Sequence, residues 1–150
     1  WGPVEREHEV RAMLDLTDPK YVWMTPDTGH LTLGGMDAVE IMTEYLPRIA
    51  EVHLKDTYAK YRGIKETPTR EQHAEASVYH NMGVDFPAVM KLLRDKHYKG
   101  WVVFDMDGPR QGDDGFDAIG GNLDLAVDDY LTHNVNYLRE ILGVRLPPLD

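Results

Sequence analysis

The chain has 150 residues, 42% of them hydrophobic and 28% charged, with three Trp, eight Tyr, no Cys and a formal net charge of −10. This length buries a core and this composition is not that of a disordered chain. Without Cys there are no disulfides, thiolate zinc sites or Cys nucleophiles, so any metal would be held by His and carboxylates. The acidic balance argues against a broad nucleic-acid or anionic-membrane footprint, and no apolar run approaches the length of a spanning helix.

Residues from about Val4 to Leu16 place Val10, Met13 and Leu14 at helical spacing, and Thr17-Asp18-Pro19 ends the run. Tyr21 to Met24 reads as a short strand feeding a polar loop, Pro26-Asp27-Thr28-Gly29-His30. Met36 to Ile49 puts Val39, Met42, Leu46 and Ile49 on one helical face, with Pro47 closing or kinking the last turn. Ala50 to Leu54 is a second strand ending in Lys55-Asp56. Residues 57–83 are polar and irregular, the length of a functional loop or lid.

Asp85 is the expected N-cap, with Pro87 in the first turn, of a helix carrying Phe86, Val89, Met90 and Leu93. Trp101 to Phe104 is a third strand, ending at Asp105-Met106-Asp107. A Gly- and Asp-rich loop to Asn122 precedes a long helix, about Leu123 to Leu142, with Leu123, Val127, Leu131, Leu138 and Leu142 as its apolar stripe. Short, continuously apolar strands separated by helices predict an α/β protein whose parallel strands are covered on both faces, either doubly wound or barrel.

Each predicted strand ends in metal-ligand types: Asp27 and His30, then His53, then Asp105 and Asp107. In parallel α/β folds the C-terminal edge of the sheet is where sites are built. Oxygen and nitrogen donors together suit Mn²⁺, Mg²⁺, Co²⁺ or Zn²⁺. Lys55 shares strand parity with His53 and would bring a charge for a substrate oxygen to the same rim. Taken singly, each has a plain structural reading: Asp27 as helix cap or turn former, His53 as a hydrogen-bonded core residue, Asp107 as a turn residue before Gly-Pro. His73, His80, His97 and His133 read as surface or loop residues, and Asp113-Asp114 as a solvated loop. The coincidence of three strand ends is what favours a site. No Walker loop, dinucleotide fingerprint or Gly-x-Ser-x-Gly elbow is present.

PDTGHLTLGGMD (26–37), RIAEVHLKD (48–56), GVDFPAVMKLL (83–93) and KGWVVFDMD (99–107) resemble the sugar phosphate isomerase/epimerase family, whose fold is the xylose isomerase-like TIM barrel. Inosose dehydratase-like members are the closest in flavour. The resemblance implies a divalent metal bound by Glu, Asp, His and Glu from the last four strands. Asp27 matches the second ligand, His53 the third, and Asp105 stands where the family has its final Glu. His30 matches a position that contacts substrate, and Lys55 a polar position beside the ligand His. The strand bearing the first Glu has no counterpart here, so the chain is expected to be the C-terminal part of a single (β/α)8 barrel domain, its last three strands and flanking helices. A start at Trp1-Gly2-Pro3, without Met, accords with that expectation.

The activity so implied is metal-dependent isomerisation or epimerisation of a sugar, polyol or sugar phosphate, by proton transfer next to a metal-bound carbonyl, with Asp105 as one of the acid/base pair. The same abstraction followed by loss of a β-hydroxyl is the inosose dehydratase-like alternative. A related barrel that cuts DNA is disfavoured by the charge, and an inactive fragment or non-catalytic half-barrel is the remaining alternative. The expected partner is a small sugar or polyol, with no nucleic acid and no membrane; homo-oligomerisation stays open. A cytoplasmic location is expected, since no signal-peptide pattern is present.

Overall fold

The computed structural model describes residues 2–67, 83–105, 111–112, 115–116 and 127–145. Helix α1 (Glu7–Leu16) is followed by α2 (Thr28–Leu33), α3 (Ala38–Glu44), strand β1 (Glu51–Leu54), α4 (Phe86–Asp95), strand β2 (Trp101–Phe104), the two-residue strands β3 (Gln111–Gly112) and β4 (Gly115–Phe116), and α5 (Val127–Asn136). A wider π turn, Tyr137–Ile141, continues α5. The helices and the two longer strands follow the predicted order. β3 and β4 form an antiparallel pair inside the segment expected to be an irregular loop.

β1 and β2 pair in parallel, Glu51 opposite Trp101 and His53 opposite Val103. The expected strand at Tyr21–Met24 is not a full strand. It is reduced to two isolated parallel bridges to the β1 segment, Met24 with Ile49 and Asp27 with His53. Pro26 explains the break: it has no N–H to give to the ladder, and the pairing slips by one residue across it. Three chain segments nevertheless run parallel side by side, in sequence order, with their C-terminal ends at one rim.

The predicted polar loop at 26–30 is also corrected, because Thr28 opens the six-residue helix α2. The Asp27 carboxylate caps it, Oδ1 accepting from the His30 N–H at 2.9 Å. α3 stops at Glu44 and Pro47 sits in a separate 3₁₀ turn, Leu46–Arg48, which satisfies the expected effect of the proline on the last turn. Asp85 caps α4 through the Ala88 N–H at 2.9 Å, with Pro87 in the first turn.

The core lies between the helices and the outward face of β1. Phe86, Val89, Val52, Leu54, Ile41, Met42 and Leu14 are all buried, and burying one such side chain contributes about 1.5–3 kcal/mol. Arg48, itself buried, ties the end of α1 to the first parallel segment: its guanidinium donates to Leu14 O, to Thr17 Oγ1 at 2.8 Å and to Val22 O at 2.9 and 3.1 Å. The bond to Leu14 O satisfies one of the carbonyls that the end of α1 leaves without helical partners. Arg62 similarly anchors the stretch after β1, donating to Met36 O at 2.7 Å and Gly83 O at 3.1 Å.

Coverage on both faces, expected of all the strands, holds only in part. Trp101 is 77% exposed and Val102 40% exposed. Among the described residues β2 is an edge strand, paired with β1 alone. On the last helical stretch Leu138 and Leu142 are buried but Leu131 is 37% exposed, so the predicted stripe faces the core only towards its end. No described helix is long and apolar enough to cross a membrane. Residues 68–82, including Arg70, His73 and His80, lie outside the described residues, as do Asp107, Asp113, Asp114, Leu123 and the side chain of Val127.

Candidate metal centre

Asp27, His53 and Asp105 come from three different segments and meet at the rim. One potential ligand atom from each lies within 4.8 Å of the others, a set that could hold a metal ion. The parallel pairing brings them there: Asp27 stands opposite His53 across the second of the two isolated bridges, and the Asp105 N–H extends the β1–β2 ladder by donating to Leu54 O at 3.1 Å. In a parallel pair, residues in register project to the same side.

Asp27 serves the local fold and the site at once. Its Oδ1 holds the cap of α2, while Oδ2 lies 3.9 Å from Lys55 Nζ. The same Nζ lies 3.6 Å from Asp105 Oδ2. Lys55 is only 3% exposed, so its ammonium sits in the rim as a buried counter-charge between two carboxylates. Burial pushes the Asp27 carboxyl above the ordinary carboxylate range; His30, Lys55 and the His30 N–H pull it down, and the facing Asp105 adds to the rise.

The His53 ring is oriented from both sides. Nε2 is 2.8 Å from Glu51 Oε1 and Nδ1 is 3.7 Å from Asp105 Oδ2. Thr28, fully buried, fastens the start of α2 to the end of β1: its hydroxyl accepts from the Lys55 N–H at 2.9 Å and donates to the Lys55 carbonyl at 2.7 Å. Gly29 permits this approach, since a Cβ there would lie 2.9 Å from Asp56 O and 3.1 Å from Lys55 Cγ. His30 is half-buried and lines, with Asp27, Thr25, Glu5 and Val4, a cleft of about 270 Å³.

Of the residues that the sequence singled out at the rim, the five that are described (Asp27, His30, His53, Lys55 and Asp105) are therefore neighbours of one another or of the cleft. Glu51 and Thr28 were not legible as site residues. The signal for Glu51 was present in the period-two spacing that aligned Lys55 with His53, applied in the other direction along the strand. Thr28 carried no signal, because its hydroxyl bonds to backbone atoms remote in sequence.

Two oxygens and one imidazole nitrogen are hard and borderline donors, the chemistry of a first-row or alkaline-earth divalent cation. Each of the three can contribute without breaking a described bond of the fold, since Asp27 retains Oδ2 and His53 retains Nδ1.

Residues 1–138 match the family described as the xylose isomerase-like TIM barrel. The chain is 33% identical over 112 residues to the inosose dehydratase of Geobacillus kaustophilus (strain HTA426), which covers 69% of this chain and 35% of that protein. It is 31% identical over 109 residues to the inosose dehydratase of Clostridium botulinum (strain Eklund 17B / Type B), covering 69% of this chain and 37% of that protein. The crystal structure of a sugar phosphate isomerase/epimerase from Parabacteroides distasonis ATCC 8503 superposes with a TM-score of 0.49 at 22% identity, covering 71% of this chain and 31% of that one. The chain thus spans little more than a third of the length of these dehydratases.

Proposed function

Because the chain belongs to the xylose isomerase-like TIM barrel family, we propose that it contributes a divalent-cation site acting on a small sugar, polyol or sugar phosphate by proton transfer, as an isomerase or epimerase. The observation that carries this reading is the convergence of Asp27, His53 and Asp105 within 4.8 Å at the rim. In this reading Asp27 Oδ2, His53 and Asp105 hold the cation. When bound, such an ion supplies Lewis-acid polarisation of a carbonyl or hydroxyl. The remaining chemistry belongs to side chains. The Lys55 ammonium donates to a substrate oxygen at the rim, and its burial strengthens that contact by keeping water away. His30, on the cleft, contacts substrate hydroxyls. Asp105, with one oxygen towards His53 and Lys55, uses the other to take a carbon-bound proton and return it.

We further take Met24–Asp27, β1 and β2 as the last three strands of one barrel domain, with residues 1–150 as its C-terminal part. Their parallel, sequential order supports this.

A second reading is favoured by the identity to two inosose dehydratases. The proton leaves carbon to the base, its electron pair becomes a double bond, and the β-hydroxyl departs with a proton as water. One experiment separates the readings: the protein with Mn²⁺ and a cyclic or open-chain ketopolyol in D₂O, followed by NMR and ultraviolet absorbance. Deuterium entering next to the carbonyl without an unsaturated product supports isomerisation, and growth of an unsaturated-carbonyl absorbance supports dehydration. Neither signal, with Asp105→Asn indistinguishable from the wild type, would sink both.

A further inference from the structure

The two ring nitrogens of His53 face different groups. Nε2 lies 2.8 Å from Glu51 Oε1, whereas Nδ1 is directed to the rim, 3.7 Å from Asp105 Oδ2. Glu51 and His53 are two apart on β1 and so project from one side of the strand, Glu51 a layer beneath the rim. An ionised carboxylate only accepts hydrogen bonds, so the short contact requires a proton on Nε2. Neutral imidazole carries one ring proton; with that proton on Nε2, the lone pair on Nδ1 is turned towards Asp105.

We propose that Glu51 is a positioning residue: it fixes His53 as the Nε2–H tautomer and thereby makes Nδ1 the atom that ligates a divalent cation. The inference rests on the metal-centre reading above and adds to it the identity of the ligating atom and the residue that selects it. Glu51 itself is no ligand in this reading, since its carboxylate contacts Nε2, the ring nitrogen opposite the one that faces Asp105. A carboxylate behind a ligating imidazole orients the ring and raises its basicity, and loss of such a partner lowers metal affinity by about 10–100-fold. Nothing in helical or strand periodicity marks the tautomer; it follows from which nitrogen has Glu51 beside it.

The test begins with metal-free protein at about pH 8, above the range in which an ordinary imidazole protonates. Long-range ¹H–¹⁵N correlation of the His53 ring is expected to show Nε2–H in the wild type. Glu51→Leu should populate Nδ1–H and weaken Mn²⁺ binding, followed by calorimetry, by about 10–100-fold. Glu51→Gln keeps a carbonyl oxygen to accept the same N–H, so it should hold the tautomer and recover most of the affinity. A merely structural contact would move neither the ring signals nor the Gln/Leu contrast. Mn²⁺ binding by a wild type in the Nδ1–H form, or a folded Glu51→Leu protein with unchanged tautomer and affinity, overturns the Glu51 inference alone. A wild type that keeps Nε2–H yet binds no Mn²⁺ at millimolar concentration overturns the metal-centre reading, and the ligand role of Nδ1 with it.

Discussion

The two carboxylates of the rim stand on very different ground. Asp27 lies between α2 and β1, its side chain 15% exposed, one oxygen committed to the helix cap, and its flank fastened by the Thr28 hydroxyl to Lys55. Asp105 hangs from the end of β2, an edge strand among the described residues; its side chain is 31% exposed, and Trp101 and Val102 below it are open to solvent. A donor locked by capping and packing keeps its position whether or not an ion is bound, whereas one held by a strand end can follow the ion. The contrast also shows that a helix cap and a candidate ligand can be one residue: a carboxylate has two oxygens, and Asp27 uses one for the helix and keeps the other at the candidate metal centre.

The widest gap between the two sides should appear in stability. Phe86, fully buried in the core, is expected to cost about 3–5 kcal/mol when replaced by Ala, whereas Trp101→Ala should stay within about 0.5 kcal/mol, both read from urea unfolding. Equal costs would mean that Trp101 on β2 is as firmly packed as the core residue Phe86. Lys55→Met should come next, at about 3 kcal/mol, because it leaves two facing carboxylates without their buried counter-charge. Millimolar Mn²⁺ should restore part of that loss, since a ligand that binds only the folded state stabilises it; no restoration would argue that Lys55 and the ion do not share the rim.

A smaller effect is expected at alkaline pH. Burial pushes the Tyr137 hydroxyl up to about 12, with Asp56 and Asp85 adding to the rise. The folded state then retains a proton that the unfolded chain has already released. Stability is complete below the ordinary tyrosine value of 10.0 and falls as pH rises from there through about 12. Tyr137→Phe keeps the edge-on ring contact with Phe86 and should flatten this part of the pH profile; an unchanged slope would assign it elsewhere. A modest stability change is expected at Asp27 itself. Asp27→Ala should cost about 1 kcal/mol through the lost cap, and Asp27→Asn only a few tenths, because Asn caps as well as Asp. Both should lose Mn²⁺ binding, so a stable Asn variant that binds Mn²⁺ like the wild type would separate Asp27 from the metal.

Much of the fold was legible where local physics suffices. Trp101–Phe104 forms a strand with the bounds its apolar run suggested, and Asp85 caps α4 as its position before Phe86-Pro87 implied. The failures are equally specific. Tyr21–Met24 looked like a strand, but Pro26 interrupts its ladder to the β1 segment. Residues 26–30 looked like a loop because Pro, Thr and Gly are weak helix formers; Thr28–Leu33 forms a helix because Asp27 caps it and Thr28 and Gly29 dock on backbone from the end of β1.

By itself, then, the sequence determined the alternation of helices and short apolar strands and the placing of Asp27, His53, Lys55 and Asp105 at strand ends. Those features depend on side-chain periodicity and on sterics between near neighbours in the chain. Tertiary structure alone decided that the donors meet within 4.8 Å, that the Lys55 ammonium is buried between Asp27 and Asp105, and that Glu51 stands behind the His53 ring. Distances between atoms tens of residues apart, or across a strand face, depend on pairing register and packing, and a one-residue slip in register sends a side chain to the opposite face of the sheet.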